Sequence, residues 1–124
     1  MQLSKIGQIA FQISDVKKIE SFYKEKIGLK HLFTIPGRMV FFDCDGVRLM
    51  FAVREPDEPV KSNSVIYFKV NAVEFYYDQL KQKDVEFIEP PKLIAEMKEY
   101  DLWMAFFKDA EGNAIGLMDE KRKG

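Results

Sequence analysis

The sequence predicts an α+β fold made of two paired βαβββ modules. Three observations carry this reading. The order strand–helix–strand–strand–strand occurs twice, about 60 residues apart, a period at which repeats define architecture. The two halves share hairpin texture, with Phe41-Phe42-Asp43-Cys44-Asp45-Gly46 answered by Phe106-Phe107-Lys108-Asp109-Ala110-Glu111-Gly112. Each half can also form a sheet with a helix on one face, which leaves the other face to be explained. Two such sheets joined edge to edge would form a curled mixed sheet whose uncovered faces line a concave cup. The expected layout is a single domain over 1–124, with modules at 1–57 and 62–124.

In the first module, Ile9, Phe11 and Ile13 alternate with Gln8, Ala10 and Gln12, a strand period. Ser14-Asp15 offers N-cap chemistry. Val16, Ile19, Phe22, Tyr23 and Ile27 form one helical stripe, and Gly28 supplies the stop. A short strand is expected from Leu29 to Thr34, a turn at Pro36-Gly37, a strand from Met39 to Cys44, a hairpin turn at Asp45-Gly46, and a strand from Val47 to Val53. Arg54 to Ser62, with Pro56 and Pro59, reads as the linker.

The second module repeats the order. Val65 to Val70 is a strand with Ile66, Phe68 and Val70 on one face. Asn71 can cap the next helix, whose apolar side is expected to be Val73, Phe75, Tyr76 and Leu80. A short strand from Val85 to Ile88 should stop at Pro90-Pro91. Leu102 to Phe107 and Ala114 to Met118 form the last hairpin around the turn Asp109 to Asn113.

Composition narrows the function. The 124 residues are 47% hydrophobic, 14% aromatic and 31% charged, enough for a core in an ordinary globular chain. Nineteen basic and twenty acidic side chains leave a net charge of -1, which argues against a nucleic-acid partner. No like-charge block or long apolar run suggests a membrane. The closing Lys121-Arg122-Lys123 reads as a solvated tail. A lone cysteine, Cys44, excludes an internal disulfide and thiolate-rich metal sites, and the expected location is the cytoplasm.

Two segments resemble the vicinal oxygen chelate superfamily, which includes glyoxalase I, bleomycin-resistance proteins and extradiol dioxygenases. One is Gly7 to Val16 followed by Ser21-Phe22-Tyr23-Lys24 and Ile27-Gly28-Leu29; the other is Met104 to Asn113, with Ala110 where the family usually has proline. The resemblance implies the paired-module fold, a homodimer, and in the family's enzymes a divalent metal held by His, Glu or Gln. The family's four ligand positions fall on Gln8, Leu49, Val65 and Gly116, with Gln8 aligned to Val65 and Leu49 to Gly116. Three of these carry no donor, and a lone amide binds hard cations negligibly. Shifting each strand by one residue offers no carboxylate or imidazole. The expectation is therefore no metal and no cofactor.

The ligand positions and strand alternation give the expected cup lining. It comprises Gln8, Ala10 and Gln12; Val47, Leu49 and Phe51; Val65, Tyr67 and Lys69; Leu102, Met104 and Phe106; and Ala114, Gly116 and Met118. The substrate-binding candidates are Gln8, Gln12, Leu49, Phe51, Val65, Tyr67, Met104, Phe106 and Gly116, mostly apolar with a few polar groups, as small-molecule sites are. Gly116 is expected to leave space. Leu49, Phe51, Val65 and Met104 also suit plain core filling. Residues 92–101 read as a long loop and candidate lid, with Glu96, Glu99, Tyr100, Asp101 and Trp103; its acidity could attract a cationic ligand, and a plain crossover suits it equally. The strand face of Trp103 is open. His31 reads as an edge-strand residue without a carboxylate to orient it, and Cys44 as an inert thiol.

These features favour a metal-free binder of a small, partly apolar molecule, of the sequestration or resistance type and not an enzyme. The alternatives are a metal-dependent lyase, isomerase or dioxygenase of the same superfamily, and a structural dimer or interaction module with a filled cup.

Overall fold

The first strand, β1 (Gln8–Ile13), hands the chain to a helix through Asp15, whose carboxylate accepts from Lys18 N at 3.1 Å. Helix α1 (Val16–Ser21) continues as a π-helical stretch, Phe22–Ile27, and ends at Gly28, φ +83°. Glycine takes this left-handed conformation without steric cost. Strands β2 (Lys30–Ile35), β3 (Met39–Cys44) and β4 (Val47–Val53) follow. Asp45 and Gly46, both at positive φ, make the two-residue turn between β3 and β4. The sheet order is β1-β4-β3-β2, with β1 parallel to β4 and the rest antiparallel.

The computed structural model describes residues 1–60 and 64–124. Residues 61 and 62 of the expected linker, and the expected start of the second module at 62, lie outside the described residues.

In the second half the strands are β5 (Ile66–Lys69), β6 (Phe87–Glu96), β7 (Tyr100–Lys108) and β8 (Ala114–Arg122), with helix α2 (Val73–Gln82) after β5. Their order, β5-β8-β7-β6 with β5 parallel to β8, repeats that of the first half. The chain thus forms two compact units, Met1–Ser62 and Asn63–Gly124, each a four-stranded mixed sheet with one helical element. This is the α+β fold that the duplication predicts.

Several local expectations are overturned. Strand β6 does not stop at Pro90-Pro91 but runs to Glu96, because it is an edge strand with interrupted register, where a missing N–H is tolerated. The expected loop over 92–101 is therefore largely a β-hairpin, closed at 97–99. Lys121-Arg122-Lys123 is no solvated tail: Lys121 and Arg122 belong to β8, and Lys123 N bonds Glu99 O at 3.0 Å. On α2 the inward stripe is Val73, Tyr77 and Leu80; Tyr77 packs edge-on to Phe87 at 4.6 Å, while Phe75 (57% exposed) and Tyr76 face solvent. The spacing i, i+4, i+7 keeps to one helix face, and Phe75 and Tyr76 lie off it.

Asn71 does not cap α2. The cap position is Ala72 at φ +61°, a left-handed conformation that strains a β-carbon, and its side chain accepts nothing. Instead Asp119, on β8 and 3% exposed, accepts from Val73 N at 2.9 Å. Lys121 bonds both Asp119 (3.1 Å) and Glu74 (3.0 Å). Burial pulls the Lys121 ammonium down, but these bonds outweigh it and hold the group above its ordinary value.

Candidate functional site

In the first unit the helix-facing side of the sheet is set by Tyr23, which stacks on Phe51 at 4.6 Å. Phe51 pairs with Phe11 and Val40, and Leu49 with Ile9 and Phe42, so all of these share that side. Leu49 and Phe51 are each 2% exposed. They are core and do not belong to a ligand-facing set; Val47 shares their parity. A one-residue slip in register sends every side chain to the other face. Gln8, Ala10 and Gln12 lie on the open face, and their partners there are Arg48, Met50 and Ala52.

That open face carries a defined polar arrangement. Arg48 Nε donates to Gln8 Oε1 at 2.7 Å. The Arg48 guanidinium lies 5.3 Å from the centroid of Phe41, which in turn stacks on Phe33 at 4.3 Å. Gln12 Nε2 donates to the Pro59 carbonyl at 2.7 Å, so part of its amide is spent on the chain itself.

In the second unit the helix-facing side holds Ala105, Phe107, Ile115, Leu117 and Asp119. Trp103 pairs with Asp119 and falls on this side, which answers the question its sequence left open. The open face carries Leu102, Met104 and Phe106, with Tyr67, Gly116 and Met118. Val65 precedes β5 and is exposed. Gly116 does not leave space. A β-carbon built there would lie 2.5 Å from Cδ2 of Tyr67, so the Tyr67 ring lies over Gly116, edge-on to Phe106 at 5.8 Å.

The alignment of Leu49 with Gly116 is thus one residue out, since Leu49 faces a helix and Gly116 does not. The open-face counterparts of Gly116 are Arg48 or Met50. The signal was present in Val47-Arg48-Leu49-Met50-Phe51, where the charged residue marks the face away from the core.

The candidate lid residues do not form a free acidic cluster. Glu99 pairs with Arg122 at 3.7 Å, and Asp101 with Lys123 at 3.4 Å, a contact without hydrogen-bond alignment. Tyr100 and Asp101 are strand residues paired to Arg122 and Lys121, and Glu96 ends β6. His31 does have a carboxylate nearby, against expectation. Its Nε2 is 2.7 Å from Thr34 Oγ1 and 3.6 Å from Glu20 Oε1, and the Thr34 hydroxyl donates to Glu20. With its ring edge-on to Phe42, His31 fastens the edge strand to α1. Burial, then Asp43 and Asp45, push the Cys44 thiol up, away from the reactive thiolate.

The residues do not fit a metal of the kind the resemblance implies. Of the four positions that the resemblance marks as ligands, Gln8 alone carries a donor, and its oxygen accepts from a guanidinium; the open-face neighbours Arg48, Met50, Tyr67 and Gly116 supply no carboxylate or imidazole. Among the described residues no group of three or more His, Cys, Asp or Glu side chains could hold a metal ion.

A repeated parallel-plus-meander sheet, open on the face opposite its helix, defines a class of small α+β binding and catalytic proteins. Residues 5–117 match the sequence profile of the Glyoxalase/Bleomycin resistance protein/Dioxygenase superfamily, and the chain belongs to that superfamily. The protein YraH of Bacillus subtilis, described as uncharacterized, is 27% identical over 127 residues, covering 91% of this chain and 96% of its own. Solved structures share the fold. A lactoylglutathione lyase from Agrobacterium tumefaciens has a TM-score of 0.78 at 18% identity, covering 95% of each chain. TnmS3, an antibiotic binding protein from Streptomyces sp. CB03234, has a TM-score of 0.77 at 23% identity, covering 98% of this chain and 99% of its own. No helix is long and apolar enough to cross a membrane.

Proposed function

We propose that this protein binds a small, partly apolar molecule without a metal, as a sequestration or resistance protein and not as an enzyme. One observation carries the reading. Each sheet is packed by a helix on one face, while its other face presents aromatic and thioether side chains: Phe33, stacked on the buried Phe41, and Met50 in the first unit, and Tyr67, Met104 and Phe106 in the second. Small-molecule sites have this mixture of apolar surface and a few polar groups. The fold shared with an antibiotic binding protein supports the same reading, and the donor-poor open faces weigh against metal catalysis. The homodimer that the resemblance implies, and residence in the cytoplasm, form part of the proposal; sedimentation equilibrium tests the first.

Thermal denaturation against a library of small apolar and amphipathic compounds tests the binding. A ligand at 100 times its dissociation constant adds about 2.7 kcal/mol of stability, and the shift should persist in chelator. One divalent ion bound per chain and lost on Gln8→Ala would overturn the reading in favour of a metal enzyme. A library without a single shift would favour an interaction module whose faces are filled by their own side chains.

A further inference from the structure

The guanidinium of Arg48 has an arrangement that the binding reading alone does not explain. Its Nε is held by Gln8 Oε1 at 2.7 Å, and its carbon sits 5.3 Å from the Phe41 ring centroid. Two anchors on one side chain remove much of the rotamer freedom that an arginine otherwise loses on binding. Yet among the described residues Arg48 forms no ion pair, and its two Nη groups have no partner. Asp43 stands opposite it in the β3–β4 ladder and still makes no ion pair with it. A planar cation fixed by its inner nitrogen, with its outer fork unspent, is the geometry that receives a carboxylate or phosphate through two parallel bonds.

Beside it lies a flat apolar surface. Phe33 stacks on Phe41 at 4.3 Å and is exposed, and Met50 follows Arg48 on the same face. Elsewhere, two of the acidic residues that suggest a cationic ligand are engaged, Glu99 with Arg122 and Asp101 with Lys123.

We infer that Arg48, oriented by Gln8 and Phe41, is the specificity residue for an oxyanion, so that the ligand is a small organic anion with a flat apolar body. The inference rests on the binding function proposed above and names its ligand class. It also accounts for the misfit at Gln8. The position that suits a metal donor instead orients a fixed organic cation, and a cation already present there repels a metal ion.

The test uses the full chain with three probes that share a phenyl body: phenylacetate, phenyl phosphate, and the neutral phenylacetamide. Amide and side-chain chemical shifts are followed on titration into the millimolar range. At least one anion should bind about tenfold or more tightly than phenylacetamide, as a charge-assisted bidentate pair provides. Shifts should centre on Arg48, Gln8 and Phe41, and affinity should fall with salt. Which anion binds better tells a carboxylate from a phosphate ligand. Arg48→Gln should remove the preference, and Arg48→Lys should restore it only in part, because a point charge lacks the fork; the position is exposed, and unchanged melting would confirm folding. Equal binding of all three probes, unchanged by Arg48→Gln, overturns the inference while leaving small-molecule binding intact. Anion shifts centred away from Arg48, or no shifts with any probe, also overturn it; the compound library then judges the broader function on its own.

Discussion

The two units have the same strand order and cap their helices in different ways. In the first, the helix and its turns are closed by neighbours in sequence. Asp15 caps the helix it adjoins, Gly28 ends it, and a two-residue turn closes β3 and β4. In the second, the helix is capped from far along the chain. The cap of α2 is Asp119, 46 residues from Val73, and its entry residue Ala72 is held in a strained conformation. The last turn of this unit is local, gathered by Asp109, which accepts from Glu111 N, Asn113 N and Asn113 Nδ2. The open faces differ as well: Gln8, Gln12 and Arg48 in one, Tyr67, Met104 and Met118 in the other. Duplicated topology constrains which residues face a helix, and leaves the opposite face free to diverge.

The largest effect should come from the aromatic core of the first unit. Tyr23, Phe42 and Phe51 pack ring on ring with almost no exposure. Phe51→Ala should cost about 3–5 kcal/mol, measured by urea unfolding. Phe87→Ala, in the less buried ring cluster of the second unit, should cost less; equal losses would break the contrast.

The capping difference is next. Asp119→Ala leaves Val73 N without its acceptor and Lys121 without one of its two, and should destabilise by about 2 kcal/mol. Asp15→Ala, at a more exposed local cap, should cost about 1 kcal/mol. Thermal melts of the two variants rank them, and the reverse order would refute the distinction between borrowed and local caps.

Gly116→Ala drives a methyl group into the Tyr67 ring and should cost about 1–3 kcal/mol unless that ring swings away. Tyr67→Ala in the same chain should recover part of the loss, since it removes the clash. A Gly116→Ala protein of unchanged stability would mean the ring gives way freely.

The smallest effect is in reactivity. The Cys44 thiol is raised, so at neutral pH less of it is thiolate than in an ordinary cysteine and alkylation is slow. Burial is the main cause and the two aspartates add to it. Asp43→Asn should therefore lower the thiol toward its usual value and speed iodoacetamide labelling modestly; the rate should rise with pH in both proteins, with the wild-type curve displaced to higher pH.

The duplicated βαβββ order, the Asp15 cap, the Gly28 stop and the bounds of β3 and β4 were legible because each depends on residues within a few positions of one another. The superfamily was legible because its motifs are local as well. The candidate site was legible only in part. Gln8, Gln12, Tyr67, Met104, Phe106 and Gly116 do lie on open faces, but Leu49 and Phe51 face the helix, one residue out of step with the family alignment, as the alternation in Val47 to Phe51 itself indicates. Arg48 carries no signal of binding in the sequence, because a lone arginine in a strand has no meaning until its cross-strand partners are known.

Local propensity and periodicity thus determined the elements, their order and the repeat in this protein. Tertiary structure decided which side of each sheet a residue faces, that β6 passes through two prolines at an edge, that Asp119 caps a distant helix, and that Gln8 holds a guanidinium. The physical reason is range: caps, turns and stripes are set by neighbours in sequence, whereas register, edges and cross-strand pairs exist only once remote segments meet.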